Sequence, residues 1–336
     1  MSDTPSPIDQ IFGAFNAFHS SAALKAAVEL DLFTTILAGA TTPDAIAAKT
    51  GAAPRGIRIL CDALAVLGFL EHHDGGYAVV ADYAPFLDGG SPLYLGTAVR
   101  FLHDRTLIDG FARLTDAVRR GGTAATDHDA LEPDNPMWVE FARAMAPLAG
   151  VTAEILAIQL AAETFGPTRV LDIAAGHGLF GIALAKRNAA IDVTALDWPR
   201  VLTVAAENAA KAGVADRFHA RPGDAFATDL GSSYDLILVP NLIHHFDAAG
   251  CDALLRRVHA ALKPGGRLVL VEFVPDEDRR GPATAVMFGL VMLAMTPGGD
   301  AYSLAEITRM LDNTGFRDVT MHDLTPSIQH AIIATR

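Results

Sequence analysis

Residues 172–181 read DIAAGHGLFG: an acid, then a small-residue turn with glycines at 176, 178 and 181. Gly176 and Gly178 tolerate positive φ and leave room beside the backbone, and the free N–H groups opening the next helix attract an anionic ligand group. The glycine spacing is that of a dinucleotide site, but such sites usually run an apolar strand straight into the first glycine. Asp172 in that place suits a ligand with an ammonium group, as S-adenosylmethionine has. About 20 residues on, where a ribose-binding acid is expected, IDVTALDWP ends a second strand in Asp197. These residues favour S-adenosylmethionine. A nicotinamide or flavin nucleotide and a purely structural glycine turn are the other two readings. A further strand end carries adjacent histidines, His244 and His245. An imidazole can act as a base near neutral pH. As metal ligands the pair is poor, because adjacent histidines project to different sides and no nearby Cys or His completes a ligand spacing.

Such groups need a rigid frame. Val170, Leu171 and Ile173 read as a short buried strand, and 179–187 as a helix. The alternation continues with a helix over 201–212, a strand leading into the turn Gly223-Asp224-Ala225-Phe226, and the buried strand 234–239 followed by Pro240-Asn241. Helix 248–262, the strand RLVLVEF, helix 303–313 and two strands near 317–321 and 329–334 complete it. This pattern predicts an α/β fold with a doubly wound, mostly parallel sheet and one late reversed strand. From Met137 to Phe165 a helical pattern places Trp138, Phe141 and Met145 on one face. These read as core, or Phe141 and Met145 line a cavity. The apolar run 285–295 reads as a helix over the site, with Met287, Phe288, Met292 and Met295 as a pliable wall or as ordinary core.

Towards the N-terminus, 8–38 is a dense helical pattern whose apolar residues, among them Ile11, Phe12, Phe15 and Phe18, run nearly all round in places. A second subunit can bury such a helix. Two short helices follow, the first capped by Thr42 or Thr41 with Pro43 at its start and Gly51 at its end, and then a hairpin over 71–80 turning at Gly75-Gly76. Helices and hairpin in that order make a winged helix. Its charges do not suit DNA: Lys49, Arg55 and Arg58 face Asp44, Asp62, Glu71 and Asp74. Turn signals at Pro85, Gly89-Gly90, Pro92, Gly121-Gly122, Pro133 and Pro136 mark a linker region.

With 336 residues, half of them apolar, the chain can fill two domains. The net charge of −13 disfavours nucleic acid and anionic membrane as partners. The longest apolar run is too short to span a bilayer. The first residues hold Asp3, Asp9 and two prolines rather than a basic, apolar leader, so no signal peptide is expected. Two distant cysteines, Cys61 and Cys251, point to a reducing, cytoplasmic setting.

Taken in order, LDIAAGHG, ALDWP, PGDAF, NLIHHF and KPGGRLVLVE make the chain resemble the two-domain S-adenosylmethionine-dependent O-methyltransferases, the caffeate and acetylserotonin type, over nearly its whole length. The resemblance implies a Rossmann-like class I methyltransferase domain over 151–336, a helical linker and lid over 91–150, and a winged-helix homodimerisation domain over 1–90. It implies that Asp172, Gly176 and Gly178 serve the methionyl part of the donor, Asp197 the ribose, Asp224, Ala225 and Phe226 the adenine, and Asn241 the amino-acid end. His244 matches the family's general base, and Glu272 the carboxylate that orients it. Phe141, Met145, His245, Met292 and Tyr302 are the candidates for binding a small-molecule acceptor. No metal is expected. Two positions depart from the pattern: His245 stands where the family usually has Asp, and Ala301 where many members have Glu. A sulfur, nitrogen or carbon acceptor, which needs positioning more than a strong base, therefore stays open beside oxygen. Tyr302 and Asp300 would then face the acceptor.

Overall fold

The computed structural model describes residues 6–124 and 135–336; Asp3 and the turn signal at Pro133 lie outside the described residues. The chain divides into two compact units, Met1–His103 and Asp104–Arg336. The segment 91–150 is thus shared between the units at residue 103.

In the first unit the helical pattern over 8–38 forms three helices, α1 (Pro7–Phe15), α2 (Ala17–Glu29) and α3 (Leu32–Leu37). The breaks are local. Ser6 and Asp9 close a capping box on α1, and Asp31 takes a left-handed conformation, φ 50°, which a continuous helix excludes. Helix α4 (Pro43–Thr50) is capped by Thr42, whose Oγ1 accepts from the Ala45 N–H at 3.3 Å, and stops at left-handed Gly51. Helix α5 (Pro54–Val66) leads into β1 (Leu70–His73) and β2 (Gly76–Val79). This hairpin turns through Asp74-Gly75, both at positive φ, the backbone that matches strand twist in a two-residue turn. Short helices α6 (Ala84–Leu87) and α7 (Ala98–Leu102) end the unit. Its core is Leu32, Phe33, Ile46, Ile57, Cys61 and Leu64 with their neighbours.

The second unit opens with α8 (Arg105–Ala112), α9 (Leu114–Arg120) and α10 (Pro136–Gln159). It continues with β3 (Thr168–Ile173), α11 (Leu179–Arg187), β4 (Ile191–Asp197), α12 (Pro199–Lys211), β5 (Phe218–Pro222), β6 (Tyr234–Pro240) and α13 (Ala248–Ala261). The last elements are β7 (Leu262–Glu272), α14 (Ala283–Met295), α15 (Leu304–Asn313), β8 (Arg317–Asp323) and β9 (His330–Thr335). The sheet order is β5-β4-β3-β6-β7-β9-β8, parallel except that β9 runs against both its neighbours. Central strands read as unbroken apolar runs because both faces are covered. Leu236 and Leu238 of β6 point into a core shared with α10, α11 and α12, whereas Ile237 and Val239 point into one shared with α13 and α15. Each such side chain contributes about 1.5–3 kcal/mol on full burial.

Helix α10 is long and apolar enough, by length and composition, to cross a membrane. Here Ala153, Leu156 and Ala157 bury it in the core, against α11 and α12. Two glycines let α11 lie close to the sheet. A Cβ at Gly181 would come 2.6 Å from Val193 Cγ1, and one at Gly178, which sits at φ +73°, would come 2.9 Å from Ala205 and Phe218.

Candidate active site

A cavity of about 400 Å³ opens at the C-terminal strand ends, where the chain steps from β5 back across β3 to β6. This switch in winding direction is where open α/β sheets bind ligands, and the volume falls in the range of about 300–1,000 Å³ usual for small-molecule sites. Its walls are the loops that leave successive strands: Ala174 to His177 after β3, Asp197 and Trp198 after β4, Gly223 to Phe226 after β5, and Pro240 to Leu242 after β6. Phe246 and His245 continue the last wall, and Trp138 and Phe141 of α10 also line the cavity.

Asp197 ties two of these loops together. Its Oδ2 accepts from the Gly176 N–H at 2.7 Å and its Oδ1 from the Trp198 N–H at 2.6 Å. Burial raises its pKa to about 6 in spite of both donors. Asp172 is more deeply set. It lies outside the cavity lining, fully buried, with Oδ2 accepting from the Gly181 N–H at 3.2 Å and Oδ1 without a partner among the described residues. Burial, helped by the charge of Asp197, raises its pKa to about 7. Gly176 at φ +57° leaves its space open to the cavity; Gly178 lies outside the lining and serves the packing of α11 instead. His177 lines the cavity and accepts from the Leu179 N–H through Nδ1; burial lowers its pKa to about 4, so it is neutral at pH 7.

Beyond β5, Asp224 Oδ1 accepts from the Phe226 N–H at 2.8 Å, which folds the turn and stands Phe226 against the cavity, edge-on to Phe246. Asn241 lines the wall after β6 in a left-handed conformation, φ 53°, and Ala174 does the same after β3. Non-glycine residues hold such backbone only where their surroundings demand it.

Next to the cavity, Ile243–His245 form a single 3-10 turn between β6 and α13. The Leu242 and Ile243 N–H groups donate to Glu272 Oε1, at the end of β7, at 3.1 and 3.2 Å. His244 Nδ1 lies 2.5 Å from Glu272 Oε2, both side chains buried. An acceptor-only carboxylate there makes Nδ1 the N–H nitrogen and leaves the lone pair on Nε2, which has no partner among the described residues. The Cys251 thiol, donating to the Ile243 carbonyl, and Asp247, capping α13, hold the turn from the other side. Gly299 lies directly on it: a Cβ there would come 2.2 Å from the His244 carbonyl oxygen. His244 itself is outside the cavity lining, with Phe288 edge-on to its ring at 4.8 Å and stacked on Phe273 at 4.2 Å. His245 lines the cavity edge-on to Trp138, its Nδ1 buried without a partner among the described residues. Burial, and then the charge of His244, holds its pKa well below the usual range.

Of the acceptor candidates, the cavity thus gathers Phe141 and His245. Met145 is half-buried on α10 outside the lining, and Met292 is buried in α14. Tyr302 donates to the Phe246 carbonyl at 2.6 Å, and Asp300 turns to the Ala301 N–H and Arg279. Met287 is exposed, and Met295 packs on Gly110. Trp198 and Phe246 line the site without having stood out in the sequence, although LDWP places Trp198 next to Asp197. Trp138 was read as core; its spacing from Phe141 puts both on the cavity face. Among the described residues no three His, Cys, Asp or Glu side chains converge as a metal site.

Residues 111–317 match the O-methyltransferase domain, and residues 12–84 the O-methyltransferase dimerisation domain. The chain belongs to the O-methyltransferase family. It is 32% identical over 300 residues to the 3-hydroxy-5-methyl-1-naphthoate 3-O-methyltransferase of Streptomyces sahachiroi, covering 88% of this chain and 86% of that one. The crystal structure of a Nostoc punctiforme protein assigned as an O-methyltransferase superposes with a TM-score of 0.93 at 45% identity, covering 99% and 100% of the two chains. Human N-acetylserotonin methyltransferase in complex with S-adenosylmethionine gives 0.85 at 25% identity, covering 100% and 99%. The protein is an S-adenosylmethionine-dependent methyltransferase, and the residues present suit that cofactor. Two buried, mutually repelling carboxylates, with no Lys or Arg among the described lining residues, fit a cationic ligand better than an anionic pyrophosphate. The open backbone at Gly176 and the aromatic faces around it admit a nucleoside.

Proposed function

We propose that this O-methyltransferase methylates a hydroxyl of a small aromatic or apolar metabolite, with His244 as general base. The buried pair of His244 Nδ1 and Glu272 Oε2 supports this reading above all. When bound, S-adenosylmethionine supplies an electrophilic methyl carbon on a sulfonium sulfur. The residues around it do the rest. His244 Nε2 takes the proton of the acceptor hydroxyl, which raises the oxygen's nucleophilicity; a positioned base of this kind contributes typically about 10²–10⁴-fold. Glu272 holds the Nδ1 proton and balances the imidazolium, and is itself held by two backbone donors. His245 stays neutral beside it, so a single positive charge arises there. Asp197 would accept from the ribose hydroxyls, Phe226 with Asp224 and Ala225 would hold the adenine, and the open turn at Gly176, with Asp172 near it, would hold the methionyl part. Phe141 and His245 face the acceptor. The test is product mass and the site of the new methyl group after incubation with candidate phenols. Methylation only at sulfur, nitrogen or carbon would overturn it.

Donor affinity carries a pH signature. Asp197 and Asp172 attract the cationic donor only when ionised. Binding therefore weakens as pH falls through the raised values of about 7 and about 6, with about a tenfold loss per further pH unit where one required carboxylate is protonated. Calorimetry between pH 8 and pH 5 measures it. A flat profile would remove these carboxylates from the charge balance of the site.

We further infer a homodimer built on the N-terminal unit. Ile8, Ile11, Phe12, Phe15 and Phe18 on α1 and α2 are all more than half exposed, an apolar surface that a second copy of the matched dimerisation domain would cover. Light scattering is expected to give twice the chain mass, and Phe12→Asp with Phe15→Asp to shift it towards the monomer. The wild-type mass of a single chain would overturn this. The buried thiols Cys61 and Cys251 support a cytoplasmic location.

A further inference from the structure

Asn241 and the loop between β8 and β9 meet beside the donor cavity. The Asn241 backbone N–H donates to the Val271 carbonyl at 2.9 Å, which pins the residue to the end of β7. Its side-chain Oδ1 accepts from the Gln329 Nε2, and its Nδ2 has no partner among the described residues. Gln329 is buried, 9% exposed, and its own N–H donates to Ser327 Oγ at 3.3 Å. Ser327 Oγ in turn accepts from the buried Thr152 hydroxyl of α10 at 2.9 Å. Gln329 is thus braced from α10 as well as from the sheet.

An amide side chain offers a cavity either an acceptor or a donor, depending on how it is turned. With the oxygen of Asn241 engaged by Gln329, the group left for the cavity is the Nδ2 donor. The sheet order tells which part of the ligand meets it. With adenine over the end of β5, ribose over β4 and the methionyl chain over β3, the next strand across is β6, and Asn241 follows β6 directly. The amino-acid end lies there, and its carboxylate is the group that takes an N–H.

We propose that Gln329 is a positioning residue of the donor site: by occupying the amide oxygen of Asn241 it presents the Asn241 Nδ2–H to the carboxylate of S-adenosylmethionine. This rests on the donor arrangement given above. Sequence reasoning had no means of finding it, since Gln329 is a single polar residue 88 positions from its partner.

The test uses the full chain and two ligands, S-adenosylmethionine and 5′-methylthioadenosine, which lacks the amino-acid end. Gln329→Met keeps size and removes the amide donor. It is expected to weaken S-adenosylmethionine about tenfold, the scale of one hydrogen bond to a charged group, and to leave methylthioadenosine unchanged. Gln329→Glu is expected to do at least as much harm, because a carboxylate accepts from Nδ2 and turns the Asn241 oxygen inward. In both, kcat at saturating donor is retained. Asn241→Asp, a nearly isosteric change that keeps the acceptor for Gln329, places a negative charge against the ligand carboxylate and is expected to give the same selective loss even if the Gln329 variants melt early. Wild-type affinity for S-adenosylmethionine in the variants, or equal losses for both ligands, would overturn the proposal. Wild-type chain that binds methylthioadenosine and S-adenosylmethionine equally would also do so. A wild type that binds neither would sink the donor arrangement itself.

Discussion

His244→Ala lowers turnover by roughly 10²–10⁴-fold and leaves the affinity for S-adenosylmethionine unchanged, if the imidazole is the base. The split follows from where the ring sits. His244 is outside the lining of the donor cavity, so its removal takes nothing from the nucleoside, whereas the Nε2 lone pair that Glu272 sets up is lost entirely. The vacated space borders the rings of Phe288 and His245. Stopped assays at saturating donor, with calorimetry on the same preparation, read both quantities. Turnover that survives the substitution would mean that the acceptor needs placement alone, as a thiol or amine does.

Asp197→Ala has the opposite signature. Donor affinity falls by roughly 10–100-fold, the worth of hydrogen bonds to one charged acceptor. The loss has two sources. On the proposed assignment the ribose forfeits its acceptor, and the Gly176 and Trp198 N–H groups lose the oxygens that draw the turn after β3 towards the end of β4. Asp197→Asn separates them: one amide oxygen remains for a backbone donor, but the charge is gone and with it the attraction for a sulfonium. Binding that follows the order wild type, Asn, Ala supports the assignment. An unaltered Kd for the alanine variant would remove Asp197 from the site.

The strand and helix order was legible because each signal is local. Apolar runs such as 234–239, glycines at turns and Thr42 before Pro43 act within a few residues, and the sheet follows from their alternation. Asp197 and Phe226 could be placed on the cavity because residues just past parallel strands share one edge. What the sequence did not carry were side-chain directions. Asp172 turns to the Gly181 N–H because Gly181 brings α11 close, a consequence of packing rather than of position. Tyr302 and Met292 are acceptor candidates in the sequence, yet the Tyr302 hydroxyl is taken by the Phe246 carbonyl and the Met292 side chain is buried outside the cavity lining. The pairing of His244 with Glu272, 28 residues apart, came from resemblance, since no periodicity links a 3-10 turn to the far end of β7. The helix breaks at Asn16 and Asp31 were missed because the apolar pattern runs through them.

The loops that line the cavity leave the strands of the central sheet, whereas Phe288, whose ring abuts His244, comes from α14. On the proposed reading, part of the acceptor wall is therefore carried by an element apart from the donor loops. Redesign could then repack that helix to admit a new molecule while the loops after β3, β4 and β5 are left as they stand.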